Sequence, residues 1–250
     1  GRHMELYYAV SGSGAVMHTV NPRLFGEQIA WILNHAESGW VFVDLSFVEL
    51  LESIEDELPG VKGFVVMTDQ NHMPNTKLKN VLCYEELLES EPKDYDWPDV
   101  DENSAALLCY TSGTTGNPKG VLASHRAMVL HAQATVSADM LDLRSDTVLM
   151  PMVTMYHVAA WGAPYAGPLS GCKLVFTGDG TSGEAMADMI RNEHVTVGLG
   201  VPTIWLTLHN YLNENKLDIP SLQRVCVGGA ASPMGLVKTY DQEYDRFFFL

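Results

Sequence analysis

Apolar positions along the chain alternate between short strand-like runs and helix-spaced stripes. Between 24 and 36, Leu24, Ile29, Ile32, Leu33 and Ala36 keep the three-and-four spacing of one helical face. Phe47, Leu50, Leu51, Ile54 and Leu58 do the same over 46–58, which predicts an amphipathic helix. Trp40–Val43 and residues 63–67 are compact apolar runs and read as strands. The pattern also predicts the end of a helix at 4–14, a strand at 15–20 closed by Asn21-Pro22, and a helix at Tyr84–Ser90. Further on it predicts strands at 105–110, 148–153, 173–177, 195–199 and 224–228, with helices at 124–141, Gly183–Glu193, 202–212 and 233–244. Ser124 is a plausible cap and Pro202 a first-turn proline. Strand and helix in turn imply an α/β fold with a mainly parallel sheet and right-handed crossovers.

Two stretches interrupt this alternation. Residues 69–80 are polar and read as a loop, and 91–103 are acidic with Pro92 and Pro98, a linker expected to separate a first α/β portion, 1–103, from a second, 104–250. Residues 147–172 carry no charge when His157 is neutral and are long enough to span a membrane. Pro151, Pro164 and Pro168 with three glycines break that stretch into short pieces, so it reads as buried core with no transmembrane segment.

Composition narrows the partners. The chain has 250 residues, 46% hydrophobic and 18% charged, enough for a sizeable core. A formal charge of -16 and a pI near 4.8 argue against nucleic acid or an anionic membrane surface as partner. Cys83, Cys109, Cys172 and Cys226 are far apart and lack metal-ligand spacing, and read as reduced thiols of a cytoplasmic protein.

The candidate chemistry centres on residues 110–121, Tyr-Thr-Ser-Gly-Thr-Thr-Gly-Asn-Pro-Lys-Gly-Val. The stretch follows the apolar run 105–110 and precedes the expected helix, so it reads as the turn from strand to helix. Gly113, Gly116 and Gly120 permit close backbone approach. Freed N–H groups and the hydroxyls of Thr111, Ser112, Thr114 and Thr115 suit anionic oxygens, and Lys119 adds a positive charge. The loop therefore points to a polyphosphate. It is not a Walker A loop, because counting from Gly113 or Gly116 puts Pro118 or Val121 where the second glycine should stand.

Residues 111–120 resemble the phosphate-loop signature of the adenylate-forming acyl-CoA synthetases, a superfamily that includes luciferases and peptide-synthetase adenylation domains. The likeness extends over 18–24 (His-Thr-Val-Asn-Pro-Arg-Leu), 155–162 (Met-Tyr-His-Val-Ala-Ala-Trp-Gly), 200–203 and 228–233. These stretches look most like the medium- and long-chain fatty acyl-CoA ligases and the methylmercaptopropionyl-CoA ligases. The resemblance implies αβαβα layers, with ATP, Mg²⁺ and coenzyme A as cofactors, a small carboxylic acid as substrate, and the homodimer frequent among relatives.

By the same resemblance, Thr111, Ser112, Gly113, Thr114, Thr115, Gly116 and Lys119 grip the β- and γ-phosphates of ATP, with Thr111 beside Mg²⁺. Gly228, Gly229, Ala230, Ala231 and Pro233 face the adenine and AMP. From the residues alone, 228–233 reads equally as a tight strand-to-helix turn. His157 is placed near the acyl carboxylate and Trp161 at a gate-like position, with Val201 and Thr203 lining the acyl pocket. Their own spacing suggests a helical turn with His157 and Trp161 on one face, and core packing competes with any functional role.

The expected activity is activation of a fatty or related acid as acyl-AMP, followed by transfer to coenzyme A. Two alternatives stay open: another adenylating enzyme, such as an aryl-CoA ligase or carrier-protein loader, and a non-catalytic nucleotide-binding module. The resemblance also implies further C-terminal motifs and a lid domain beyond residue 250, so little ligase activity is expected of this chain alone.

Overall fold

A computed structural model of the chain describes residues 1–111, 117–178, 180–243 and 247–249, with backbone only at 242–243 and 247–249. The chain forms two compact units, Gly1–Arg126 and Ala127–Leu250. The first contains α1 (Arg2–Gly12), β1 (Met17–Thr19), α2 (Gly26–His35), β2 (Trp40–Val43), α3 (Val48–Ile54), β3 (Gly63–Val66), β4 (Val81–Cys83), α4 (Tyr84–Ser90), β5 (Ala105–Thr111) and β6 (Lys119–Ser124). Helix α5 (His125–Val136) begins at the end of this unit. The second contains β7 (Val148–Pro151), α6 (Val158–Trp161), α7 (Ala163–Ser170), β8 (Lys173–Leu174), α8 (Gly183–Glu193), β9 (Val197–Gly200), α9 (Pro202–Asn215), β10 (Arg224–Val227), α10 (Met234–Lys238) and β11 (Phe247–Phe249).

In the first unit, β2, β3 and β4 pair in parallel, and the expected helical stripes dock on them. Ile29 and Leu33 of α2 and Val48, Leu51 and Ile54 of α3 form one core with Phe64 and Val66 of β3. Burying each such side chain stabilises the unit by about 1.5–3 kcal/mol. The helix expected over 46–58 is broken: α3 is flanked by 3-10 turns at Leu45–Phe47 and Glu55–Glu57. Asp44 accepts from the Ser46 N–H and starts the first of these turns.

The second sheet of this unit has the order β1-β5-β6. β1 runs parallel to β5, whereas β6 runs antiparallel, with Thr111 opposite Lys119 and Tyr110 opposite Gly120. This corrects the expected strand-to-helix turn: the phosphate-loop sequence closes a β-hairpin, and the helix starts only after Ser124. Periodicity missed β6 because its apolar pair Val121 and Leu122 is exposed, so no buried face marks it as a strand. Ser112, Gly113, Thr114, Thr115 and Gly116 lie outside the described residues.

The second unit is built on a five-stranded sheet in the order β11-β10-β9-β7-β8, parallel throughout. Met186 and Ile190 of α8 and Trp205, Leu208 and Leu212 of α9 cover one face, joined by Tyr240. Leu149, Val197 and Leu199 meet Ala163 and Ala166 of α7 in a separate cluster. Local signals set the helix starts: Ser182 accepts from the Ala185 N–H at the head of α8, and Pro202 occupies the first turn of α9. The Arg224 guanidinium donates to the carbonyls of Leu141 and Asp142 and to the Asp142 carboxylate, tying β10 to the segment that leads into β7.

Elsewhere, the helix expected over 124–141 stops at Val136, and α10 gives way after Lys238 to a π turn over Thr239–Glu243. Seven of the eight strand pairings among the described residues are parallel, as an α/β chain requires. Among those residues no helix is long and apolar enough to cross a membrane. Pro151 ends β7 and Pro168 lies within the short α7, so 147–172 is broken into pieces as expected.

Candidate functional site

The order of the five-stranded sheet creates a switch point. The chain passes from β7 to β8 on one side, then returns to place β9 and β10 on the other. In open parallel sheets, crevices for ligands form at such points beyond the carboxyl ends of the strands. Three of the expected site segments lie at that edge: 155–162 after β7, 200–203 at the end of β9 and 228–233 after β10.

These segments touch. The Trp161 indole lies against the backbone of Gly228, 3.0 Å from where a Cβ would stand, and Val201 Cγ1 is 3.3 Å from the corresponding point at Gly229. Gly229 also has a φ of 80°, a conformation that favours glycine. Trp161 is partly buried, whereas His157 is exposed, as is Thr203 in the first turn of α9. Ala230, Ala231 and Pro233 are exposed along the segment that leads into α10.

The approach of Trp161 depends on an unusual backbone. Val158, Ala159, Ala160 and Trp161 have φ values of 48°, 47°, 48° and 56°, and Gly162 follows at 77°. Helix α6 is therefore a left-handed turn, and the expected right-handed turn with His157 and Trp161 on one face is not formed. His157 itself is extended, with φ -118° and ψ 118°. Each left-handed non-glycine residue costs about 1–2 kcal/mol. The buried, small side chains of Ala159 and Ala160 let the turn sit inside the unit.

One polar group at this edge was not singled out from sequence. The Ser232 Oγ is buried without a hydrogen-bond partner among the described residues. A buried hydroxyl left unpaired costs about 1–3 kcal/mol. Its only sequence signal is its place within Gly-Gly-Ala-Ala-Ser-Pro. Burial pushes the Cys226 thiol on β10 up to about 11, which disfavours its thiolate.

In the first unit, Thr111 and Lys119 stand opposite one another at the connected end of the β5–β6 hairpin, both exposed. A hydroxyl and an ammonium thus flank the mouth of the glycine-rich segment. Among the described residues no cluster of three or more His, Cys, Asp or Glu could hold a metal ion.

The profile of a family described as AMP-binding enzyme matches residues 2–248. A medium-chain-fatty-acid–CoA ligase from Ectopseudomonas oleovorans is 45% identical over 243 residues, covering 97% of this chain and 44% of the relative. A 3-methylmercaptopropionyl-CoA ligase from Ruegeria lacuscaerulensis is 44% identical over 243 residues, covering 97% of this chain and 45% of the relative. The chain thus spans under half the length of these relatives. Among solved structures, the anthranilate CoA ligase AuaEII in complex with anthranoyl-AMP superposes with a TM-score of 0.83 at 20% identity, covering 97% of this chain and 46% of that one. The N-terminal domain of FACL13 from Mycobacterium tuberculosis gives 0.81 at 24% identity, covering 96% of this chain and 56% of that one.

Proposed function

This chain belongs to the AMP-binding enzyme family, and on that premise we propose that its protein activates a fatty or related carboxylic acid with ATP as an acyl-adenylate and passes the acyl group to coenzyme A. The observation that carries the reading is the convergence of Trp161, Val201 and the Gly228–Gly229 backbone beyond the carboxyl ends of β7, β9 and β10. A flat ring and an apolar chain both fit such an edge, where small residues expose the backbone and an indole and a valine supply apolar walls.

The division of labour follows from the residues. Lys119 and Thr111, with the loop between them, bind and orient the β- and γ-phosphates; the charge of Lys119 offsets that of the leaving pyrophosphate. Mg²⁺ bound to the phosphates adds charge neutralisation, with Thr111 as the hydroxyl offered from this chain. Gly228 to Pro233 receive the adenine and AMP portion, and the Ser232 hydroxyl offers one further hydrogen bond. His157 holds the acid's carboxylate, while Trp161, Val201 and Thr203 shape the acyl pocket. The mixed anhydride is electrophilic enough for thiol attack by coenzyme A, which a free carboxylate is not. The four free cysteines and the acidic charge support a reducing, cytoplasmic setting.

Calorimetric titration of this chain with ATP and Mg²⁺, beside Lys119→Ala, tests the phosphate-loop part. Saturable binding that the variant loses is expected. Binding unaffected by Lys119→Ala, in variants that remain folded by circular dichroism, would reject it. Formation of an acyl hydroxamate from a medium- or long-chain acid, ATP and hydroxylamine by the whole polypeptide tests the chemistry. A preference for aryl acids in that assay would move the substrate reading.

A further inference from the structure

Behind the phosphate-loop hairpin lies an aromatic cluster that the proposed chemistry does not use. Tyr110 is the residue before Thr111 on β5, and it pairs across the hairpin with Gly120, next to Lys119. Directly opposed residues of an antiparallel pair share a face and adjacent positions alternate. The Tyr110 side chain therefore projects from the face opposite Thr111 and Lys119. Its ring lies over Gly120, where a Cβ would come within 3.3 Å of Cζ and 3.4 Å of the hydroxyl.

Three other side chains, from α2 and β1, meet this ring. A 2.6 Å hydrogen bond joins its hydroxyl to His35 Nδ1 at the end of α2. His35 is in turn stacked on Trp31, one turn earlier, at 4.6 Å and 22° between planes. His18 of β1 lies 5.3 Å from the Tyr110 ring, its Nδ1 hydrogen-bonded to Ser38 Oγ at 2.9 Å. His18 Nε2 is buried with no partner among the described residues. Burial lowers the His18 pKa to about 4, so the ring stays neutral beside the tyrosine.

We propose that His35 and Tyr110 are positioning residues for the phosphate loop: their hydrogen bond anchors the end of β5 to α2 and so sets the separation and register of Thr111 and Lys119. The inference rests on the phosphate-binding reading of 111–120. Thr111 and Lys119 are strand residues, so their separation is inherited from the pairing of β5 with β6 and from whatever holds β5 in place. Positional errors near 1 Å at such a base are enough to weaken charge-directed binding substantially.

The test is the dissociation constant of MgATP for this chain, by calorimetry, with melting temperatures measured in parallel. Tyr110→Phe and His35→Ala are each expected to weaken binding about five- to tenfold, the scale of one hydrogen bond, while melting within a few degrees of the parent. His35→Gln, whose amide can still meet the phenol, should recover part of the loss, and the Tyr110→Phe/His35→Ala double variant should bind no worse than either single one. Unchanged affinity in Tyr110→Phe, losses that multiply in the double variant, or affinity that falls only in step with melting temperature would overturn the proposal. Failure of the underlying reading looks different: the parent chain binds no MgATP, or Lys119→Ala binds as tightly as the parent.

Discussion

The Trp161 indole takes the space that a side chain on Gly228 would need, with Cη2 3.0 Å and Cζ2 3.2 Å from the Cβ position. Gly228→Ala should therefore overpack this contact and destabilise the chain by about 1–3 kcal/mol. Trimming the ring in Gly228→Ala/Trp161→Leu should restore part of that loss. Urea midpoints of the four chains in this cycle measure the coupling, and strictly additive effects would show that the contact does not govern the glycine.

Val158 is 53% exposed, so its side chain has little packing to lose, yet it holds a φ of 48°. A β-branched residue is poorly suited to that region. Val158→Gly removes a backbone penalty of about 1–2 kcal/mol and adds an unfolded-state entropy cost of about 0.5–1. The expected outcome is a net gain of roughly 0.5–1 kcal/mol, read as a raised urea midpoint with an unchanged slope. A loss of stability would mean that the left-handed turn is not strained at this residue.

His18 gives the chain an acid-sensitive component. Its folded pKa, about 4, lies below the ordinary value of 6.5, so between those limits the unfolded chain binds more protons and stability falls as the pH drops. The contribution is complete above about pH 6.5 and is lost progressively towards pH 4, reaching about 2 kcal/mol at pH 5. His18→Asn should start less stable at pH 7 but lose less between pH 7 and pH 5 than the parent does. Parallel denaturation curves at the two pH values check this, and equal losses would place the acid sensitivity elsewhere.

Arg224 satisfies two carbonyls and one carboxylate at the segment entering β7. Arg224→Met keeps much of the side-chain bulk and removes all three hydrogen bonds. A cost of about 1–3 kcal/mol is expected, because the Leu141 and Asp142 carbonyls lose their charged donor. Thermal melting of the variant against the parent measures it.

How far the fold was legible depended on whether an element's signal was local. The stripe Ile29–Ile32–Leu33 sits on a buried helix face, and Trp40–Val43, Tyr84–Ser90 and Gly183–Glu193 have their expected bounds. β6 escaped because Val121 and Leu122 are exposed, and β4 escaped because it is three residues long with only Cys83 buried. The π turn after α10 and the breaks around α3 were likewise silent, since apolar spacing is nearly the same in each helical form.

The site divides in the same way. Residue chemistry alone led to the expectation that 110–121 binds a polyphosphate, because hydroxyls, glycines and a lysine stand there in close succession. What tertiary structure decided is that this loop stands on an antiparallel hairpin, and that residues as distant as Trp161, Val201 and Gly228 meet at one sheet edge. The left-handed turn at Val158–Trp161 belongs to the second kind, because four non-glycine residues adopt that conformation only where surrounding contacts repay the strain. Local preference specifies which residues bend, pair or carry charge; strand order and packing specify which of them come within reach of each other.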